Sequence, residues 1–564
     1  MTLSARPGNG GEAPGGAPAG RRHRWWVLLV LFLAVLALQA VAGALTAELA
    51  SPDEPAHFVS GLMVRDYLAS GLSTPPLEYA SSYYAHYPKI AIGNWPPLFY
   101  AVEGVWLLLL PALPASVLVL LALLTALLGT LVFESLRPLL GTAFAGFGAG
   151  LLILLRPVQL HAGSVMLEIV LAVACVLAVL LWARFLTHGG ARLAAAFAAV
   201  AVVAVLIKAN ALFLLLVPPL TIVLGRRWHV LRARGLWLAV VAVLLLVGPW
   251  TWYSLEQVRT GWQDLLPTRD YVLTALRTYS ASLLRPFGIA GIALALIGAW
   301  QRLVRARREA APDRALWDTL AALILAVIGF HTLVPAGIGY RHLLPAYPAV
   351  AMFAAAGAYQ VAGWLRGRGV RATTATTAVL AIVVAAFAID RFRIPFRTTA
   401  GYRAAAQAVV EHSAAGQPTT SLIVSDAVGE GAFTVEVAIR DRQRPSHVVW
   451  RGTNLLSLNT WAGRRYRLRA ADDAGVLRLL EQASVRYIVI DRSLRTRHQQ
   501  QLERAMAAVP ERFAHVADLP LQRDTLRFAR GLSVYEVRPA AGGVRAPGIR
   551  QVPGYDGVAA APHD

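Results

Sequence analysis

Asp53, Glu54 and His57 stand within about one helical turn of one another in the stretch ASPDEPAHFVSG, residues 50–61, just past a long apolar run. Two carboxylates and an imidazole at the mouth of an apolar segment can move a proton or hold a cation. The same letters also spell a helix start, with Ser51 as cap, Pro52 at the first helical position and Glu54 three residues after the cap. A capping box accounts for Glu54, and for Asp53 only loosely, as an acid in a first turn. Glu168, in GSVMLEIVL (163–171), is a second carboxylate at the edge of an apolar run. Its plain alternative is a snorkelling acid at a helix start. As a pair, Asp53 could take the proton of an attacking hydroxyl while Glu168 holds that acceptor. The two could also share a divalent cation, Mg²⁺ or Mn²⁺, through oxygen ligands.

Cations and imidazoles recur in the same kind of place. YYAHYPKIAIGNWPPLFY (83–100) carries His86 and Lys89, LIKANALF (206–213) carries Lys208, and GYRHLLPAYP (339–348) carries Arg341 and His342. Lys89, Lys208 and Arg341 at one surface would suit a phosphate or pyrophosphate leaving group, whose charge grows as its bond to carbon breaks. Tyr83, Tyr84 and Phe99 read as an interfacial aromatic belt, and Arg341 with His342 could be an ordinary basic loop.

The elements that must position these groups are membrane spans. The chain has 564 residues, 57% of them hydrophobic and 15% charged, too apolar for an ordinary soluble enzyme. Trp25–Leu45 is long enough to cross a bilayer and reads as a retained anchor rather than a cleaved signal, because its apolar core is too long. Further apolar runs near 115–133, 141–155, 169–186, 193–207, 209–224, 236–253, 283–300, 316–334, 343–365 and 373–389 bring the expectation to about eleven transmembrane helices. The single Cys175 excludes a disulfide framework and a cysteine metal site. The formal charge of +21 does not indicate nucleic acid, because much of the basic charge sits in short loops between apolar runs. Of 53 basic residues only Lys89 and Lys208 are lysines.

Loop charge decides sidedness. If Pro96–Pro111 does not cross, the loops with Arg137, Arg184 and Arg192, GRRWHVLRARG, QRLVRARREAAPDR and RGRGVRA all fall on the side of the N-terminal GRRHR, the cytoplasmic one. Pro96–Pro111 then becomes a juxtamembrane helix within a large outer loop, 46–114, and both acids, both lysines and Arg341 gather at the outer face. This divides the chain into a disordered cytoplasmic N-terminus (1–24), a transmembrane catalytic domain (25–390), a small extracytoplasmic α/β domain (391–540) and a disordered tail (541–564). The α/β reading rests on strand-like SLIVSD and VRYIVIDRS beside the amphipathic DDAGVLRLLEQAS.

The acids after the first span, NWPPLFY, GSVMLEIVL, LIKANALF and GYRHLLPAYP, in this order over Trp25–Pro348, resemble the GT-C superfamily of membrane glycosyltransferases. The protein O-mannosyltransferase and aminoarabinose-transferase-like branches are the most similar. The resemblance implies transfer of a hexosyl or pentosyl group from a polyprenyl-phosphate donor, with inversion, to a glycan, lipid or exported protein acceptor, at the plasma (inner) membrane of a bacterium. It makes Asp53 and Glu168 the catalytic acids and Lys208 and Arg341 the donor-phosphate cations; Glu54, His57, His86, Lys89 and His342 are further substrate-binding candidates from their places beside these groups. Asn94-Trp95 departs from the charged residue that aminoarabinose-transferase-like sequences carry before the paired prolines. A transporter or lipid flippase would also need many spans, but predicts repeated halves and mid-bilayer polar residues. A non-catalytic scaffold would leave the two acids unexplained.

Overall fold

The computed structural model describes residues 18–90, 95–259, 267–305, 313–335, 337–413, 418–458, 466–524 and 529–538, without the side chains of 18–22 and 256–259. Most of the 1–24 and all of the 541–564 expectations of disorder lie outside the described residues, as does Asn94.

The chain is a helical bundle carrying a small sheet. α1 (Pro18–Val41) begins ahead of the expected Trp25, because the basic residues before it are good helix formers. α2 (Glu54–Ala69), α3 (Pro76–His86) and α4 (Leu98–Leu109) fill the loop after it. α4 has 12 residues, about 18 Å of helix, well short of a bilayer core of about 30 Å. α2 and α4 pack at close range because each offers a glycine to the other. A Cβ on Gly61 would overlap the Glu103 carboxyl, and one on Gly104 would lie 2.8 Å from Val64 Cγ1.

The bundle continues through α5 (Pro114–Leu140), α6 (Thr142–Leu154), α7 (Arg156–Ala162), α8 (Glu168–His188), α9 (Ala191–Ile207), α10 (Val217–Gly225), α11 (Arg234–Arg259), α12 (Arg269–Leu284), α13 (Gly288–Ala299), α14 (Arg314–Leu333), α15 (Tyr347–Gly367) and α16 (Ala372–Asp390). Among the described residues seven helical segments are long and apolar enough to cross a membrane, eight if the pair α6–α7, bent by 63°, counts as one. The expected run 141–155 is α6, and the bend follows it; the expected run 209–224 is not a single α-helix. Leu155 breaks from helical backbone just before Arg156-Pro157, and a 3₁₀ turn, Ala209–Leu216, precedes α10.

After α16 comes the α/β part. α17 (Tyr402–His412), α18 (Ala427–Arg440), α19 (Gly452–Leu455), α20 (Asp473–Gln482) and α21 (Arg497–Ala508) surround a sheet of β1 (Thr420–Val424), β2 (Val448–Arg451), β5 (Tyr487–Asp491), β6 (Phe513–Leu519) and β7 (Leu532–Val537) in the order β2-β1-β5-β7-β6. β3 (Ser457–Leu458) and β4 (Arg467–Leu468) form a separate antiparallel ribbon. β2, β1 and β5 are parallel and buried in near-continuous apolar runs, as strands covered on both faces must be. The sequence signals for β1 and β5 were SLIVSD and VRYIVIDRS. Asp472 caps α20 by accepting from Gly475 N at 2.7 Å.

This part is fastened to the loop after α1. Glu48 accepts the first free N–H groups of α17, from Gly401 at 3.0 Å, Tyr402 at 2.8 Å and Arg403 at 3.0 Å. Arg444 of the α/β part donates to Asp66 of α2 at 2.8 Å, and the Tyr87 hydroxyl donates to Asp441. The end of the bundle that bears α2 is thereby covered by the sheet region.

Candidate active site

Four charged side chains meet where helices begin or end. Asp53 is the N-cap residue of α2, yet its side chain accepts no capping bond; its carbonyl oxygen receives Ala56 N at 3.0 Å and His57 N at 3.1 Å. Glu168 is the first residue of α8. Lys208 follows α9 in extended backbone (φ −153°, ψ 122°), and Arg341 lies in a 3₁₀ turn, Tyr340–Ala346, that leads into α15. All four thus lie at helix ends or in the turns beside them rather than in helix interiors.

The contacts form an alternating line of charge. Arg341 Nη1 donates to Asp53 Oδ2, Arg341 Nε stands 3.9 Å from Glu168 Oε1, and Lys208 Nζ donates to the same Oε1 at 2.6 Å. Glu168 is buried, at 1% exposure, while the side chains of Asp53 and Arg341 keep 27% and 38%. The line thus runs from a sealed end at Lys208–Glu168 to an open end at Arg341–Asp53. Burial works against the Arg341 charge, but Asp53 and Glu168 outweigh it and hold the guanidinium protonated. Glu168 Oε2 and Asn210 Oδ1 are buried acceptors with no hydrogen-bond partner among the described residues. Such atoms call for a donor, and a polyhydroxylated ligand supplies donors.

His342 belongs to a neighbouring aromatic group. Its Nδ1 lies 3.2 Å from the Tyr279 hydroxyl, and its ring stacks on His331 with centroids 4.7 Å apart and planes 17° apart. His331 donates from Nδ1 to Val327 O at 2.8 Å, so its Nε2 accepts from Asn210 Nδ2 at 3.1 Å. Burial lowers the pKa of His342, and the neighbouring His331, Lys208 and Arg341 lower it further.

His57 is buried below Asp53, 2.8 Å from the Tyr100 hydroxyl and packed on Trp95 at 4.5 Å between centroids. Burial brings its pKa down to about 4 against the pull of Asp53 and Glu168, so it is neutral at physiological pH. Lys89 reaches Pro52 O at 3.3 Å and Ala427 O at 3.3 Å, which seats it between the residue before Asp53 and the start of α18. Burial there, with Arg451 beside it, brings its pKa down to about 7, against the carboxylates of Glu430, Asp53 and Asp426.

Two of the residues singled out from sequence stand apart. Glu54 is bound in a buried bidentate pair with Arg397, Nη1–Oε1 2.8 Å and Nη2–Oε2 2.9 Å. It also accepts from Ser51 N at 3.0 Å and from Val165 N at 3.0 Å. The Ser51 contact is one half of a capping box. The other half is absent, since Ser51 Oγ accepts from Asp53 N at 3.3 Å instead. His86 bonds to Ser82 O of its own helix at 2.8 Å, and its one ring contact among the described residues is Tyr87. His331, Tyr279, Tyr100 and Arg397 carried no signal that separated them from span, loop or linker residues.

Asp53 and Glu168 do not make a divalent-cation cage. Asp53 Oδ2 and Glu168 Oε1 already face guanidinium and ammonium groups, and among the described residues no group of three or more His, Cys, Asp and Glu is placed to hold a metal.

No protein-family model matches the sequence, and no curated protein matches it. In structure the chain is similar to ArnT from Cupriavidus metallidurans bound to undecaprenyl phosphate, with TM-score 0.55 and 16% identity, covering 90% of this chain and 97% of that one. It is also similar to the archaeal oligosaccharyltransferase AglB from Archaeoglobus fulgidus in complex with an inhibitory peptide and a dolichol-phosphate, with TM-score 0.53, 12% identity and coverage of 91% and 75%. An Archaeoglobus fulgidus oligosaccharyltransferase complex with Zn and sulfate follows, with TM-score 0.51, 12% identity and coverage of 82% and 68%. The resemblance read in the sequence holds at the level of fold: this chain has the fold of the GT-C glycosyltransferases.

Proposed function

We propose that the chain is a membrane glycosyltransferase that moves a sugar from a polyprenyl-phosphate donor to an acceptor hydroxyl at the outer face of a bacterial plasma membrane. The observation that carries the reading is the Asp53–Arg341–Glu168–Lys208 line, open at Asp53 and sealed at Lys208. Undecaprenyl phosphate and dolichol-phosphate in the structurally similar proteins support the donor class. The acceptor is a glycan, lipid or exported protein.

Displacement at an anomeric carbon passes through an oxocarbenium-like state, so it needs an activated nucleophile on one face and a stabilised leaving group on the other. In this reading the donor phosphate binds at Arg341 and Lys208, and Arg341 turns from Asp53 toward the phosphate oxygens. Freed of its partner, Asp53 accepts the proton of the attacking hydroxyl as the new C–O bond forms. The bond between anomeric carbon and phosphate oxygen breaks, and the polyprenyl phosphate leaves with its charge held by the two cations. Glu168 keeps Lys208 aimed and offers Oε2 to an acceptor or sugar hydroxyl. Lys and Arg supply the positive charge that a metal would bring, so no step is routed through Mg²⁺ or Mn²⁺. The outer-face assignment rests on the basic loops and on the short α4.

Incubation of the purified protein with radiolabelled polyprenyl-phosphate sugars, nucleotide sugars and a membrane extract tests the reading. Label transferred from a lipid-linked donor is expected. Transfer from nucleotide sugars alone would overturn the mechanism.

A further inference from the structure

A second cationic site lies next to the charged line and takes no part in it. Arg156 at the start of α7, Arg285 between α12 and α13, and Arg391 and Arg393 after α16 line one cleft of about 480 Å³ with Tyr340, Ser282 and a single carboxylate, Asp390. Four guanidiniums from three separate stretches of chain therefore face one another with one negative group among them. Arg156, Arg285 and Arg393 are exposed, and only Arg391 is neutralised, by Asp390 Oδ2 at 3.0 Å from its Nε. Like charges repel across such a cleft unless an anion enters it.

The cleft is built rather than incidental. Gly288, at φ +69°, lets the end of α16 come against the turn that holds Arg285, since a Cβ there would lie 2.7 Å from Asp390 Oδ2 and 3.0 Å from Arg391 Cγ. Tyr340, on the wall of the cleft, is followed directly by Arg341 of the charged line and packs edge-on against His161 at 6.3 Å between centroids. The surroundings are apolar and open outward. Ile389, next to Asp390 of the cleft wall, is 78% exposed, Ile289, three residues after Pro286 of the wall, 81%, and Phe396, three after Arg393, 66%. On a bundle of membrane-spanning helices, exposed aliphatic side chains beside arginines match a molecule with a hydrocarbon body and an anionic head.

We propose that this cleft binds the phosphate head group of a second membrane lipid, distinct from the donor held at Lys208 and Arg341. Arginine forks meet phosphate oxygens in pairs, and the Tyr340 hydroxyl adds a donor at the rim. The proposal stands whether or not the chain transfers sugar, because binding alone tests it.

The full chain in phosphatidylcholine bilayers is titrated with spin-labelled phosphatidic acid, and the motionally restricted fraction is read by electron paramagnetic resonance. Restriction well above that of spin-labelled phosphatidylcholine is expected. Arg285→Gln with Arg393→Gln should weaken it at least tenfold, and Arg366→Gln, at the far end of α15, should not. Asp390→Asn, which frees Arg391, should tighten binding several-fold, an outcome that misfolding cannot imitate. Inorganic phosphate should displace the labelled lipid only at far higher concentration. Equal restriction of both lipids, indifference to Arg285 and Arg393, or displacement by inorganic phosphate at matched concentration would overturn the proposal.

Discussion

The guanidinium of Arg341 donates to the carboxylate of Asp53 across 288 residues of chain, joining the start of α2 to the turn before α15. Neither partner is sealed from solvent, so the pair can open toward a ligand, whereas the Glu168–Lys208 pair beside it is buried. An exchangeable ion pair next to a fixed one is what a site needs if one cation must leave its resting partner for a phosphate.

Arg341→Gln should therefore raise the donor Kd and lower transfer by about 10²–10³-fold, the size of effect seen when a preorganised charge on a leaving group is lost. Arg341→Lys should recover only part, since an ammonium cannot bridge Asp53 and phosphate with a fork. Isotherms with polyprenyl phosphate alongside single-turnover rates separate the two effects.

Glu54 should behave as a clamp. Either Glu54→Gln or Arg397→Gln leaves one buried charge without its partner, at a cost of about 3–5 kcal/mol. Thermal unfolding in detergent should fall sharply for both. The fraction of Glu54→Gln that stays folded should keep wild-type donor affinity, a result that a substrate-binding Glu54 would not give.

Glu103 has neither carboxylate oxygen hydrogen-bonded among the described residues and is fully buried beside Gly61, so burial alone raises its pKa well above the usual carboxylate range. A raised folded pKa means that the unfolded chain releases this proton first. The side chain's contribution is therefore fully present below about pH 4.3, the ordinary carboxylate value, and is lost as pH rises toward the folded pKa. Glu103→Gln should raise stability at pH 7 and leave it unchanged at pH 4, as followed by denaturation midpoints at the two pH values.

Lys89 gives a second pH signature. Its folded pKa of about 7 lies below the ordinary lysine value, so the folded chain sheds this proton before the unfolded one does. The cost of holding Lys89 charged is present below about pH 7, and stability rises with pH from there toward about 10.4. If the ammonium serves the donor phosphate, donor affinity moves the other way and weakens above pH 7. Lys89→Arg, which stays charged, should flatten the affinity profile between pH 6 and 9.

The four residues of the charged line were legible because ionisable groups at the ends of apolar runs are costly and therefore informative. Their pairing was not, since nothing local to Asp53 names Arg341. Glu54 was misleading for the same reason: its partner Arg397 is 343 residues away in a linker with no motif of its own. Tyr279 sits on α12, whose residues 269–284 form no long apolar run, and His331 is a lone imidazole inside an apolar one, so both passed as background. The breaks before Arg156 and after Ile207 fall where the apolar runs 141–155 and 193–207 end, but the 3₁₀ turn Ala209–Leu216 inside the run 209–224 escaped a reading by apolar length alone. The α/β part was readable from two parallel strands with continuous apolar runs, but its docking through Glu48, Arg444 and Lys89 rests on contacts between distant segments.

The most direct test of the central claim is a comparison of donor binding and transfer in Asp53→Asn. A general base contributes about 10²–10⁴-fold, so single-turnover transfer from a radiolabelled polyprenyl-phosphate sugar should fall by that factor. The Kd for the same donor should be unchanged or lower, because Arg341 no longer has a carboxylate to leave. Transfer near the wild-type rate in Asp53→Asn, or a loss of binding equal to the loss of transfer, would contradict the role of Asp53 as the base.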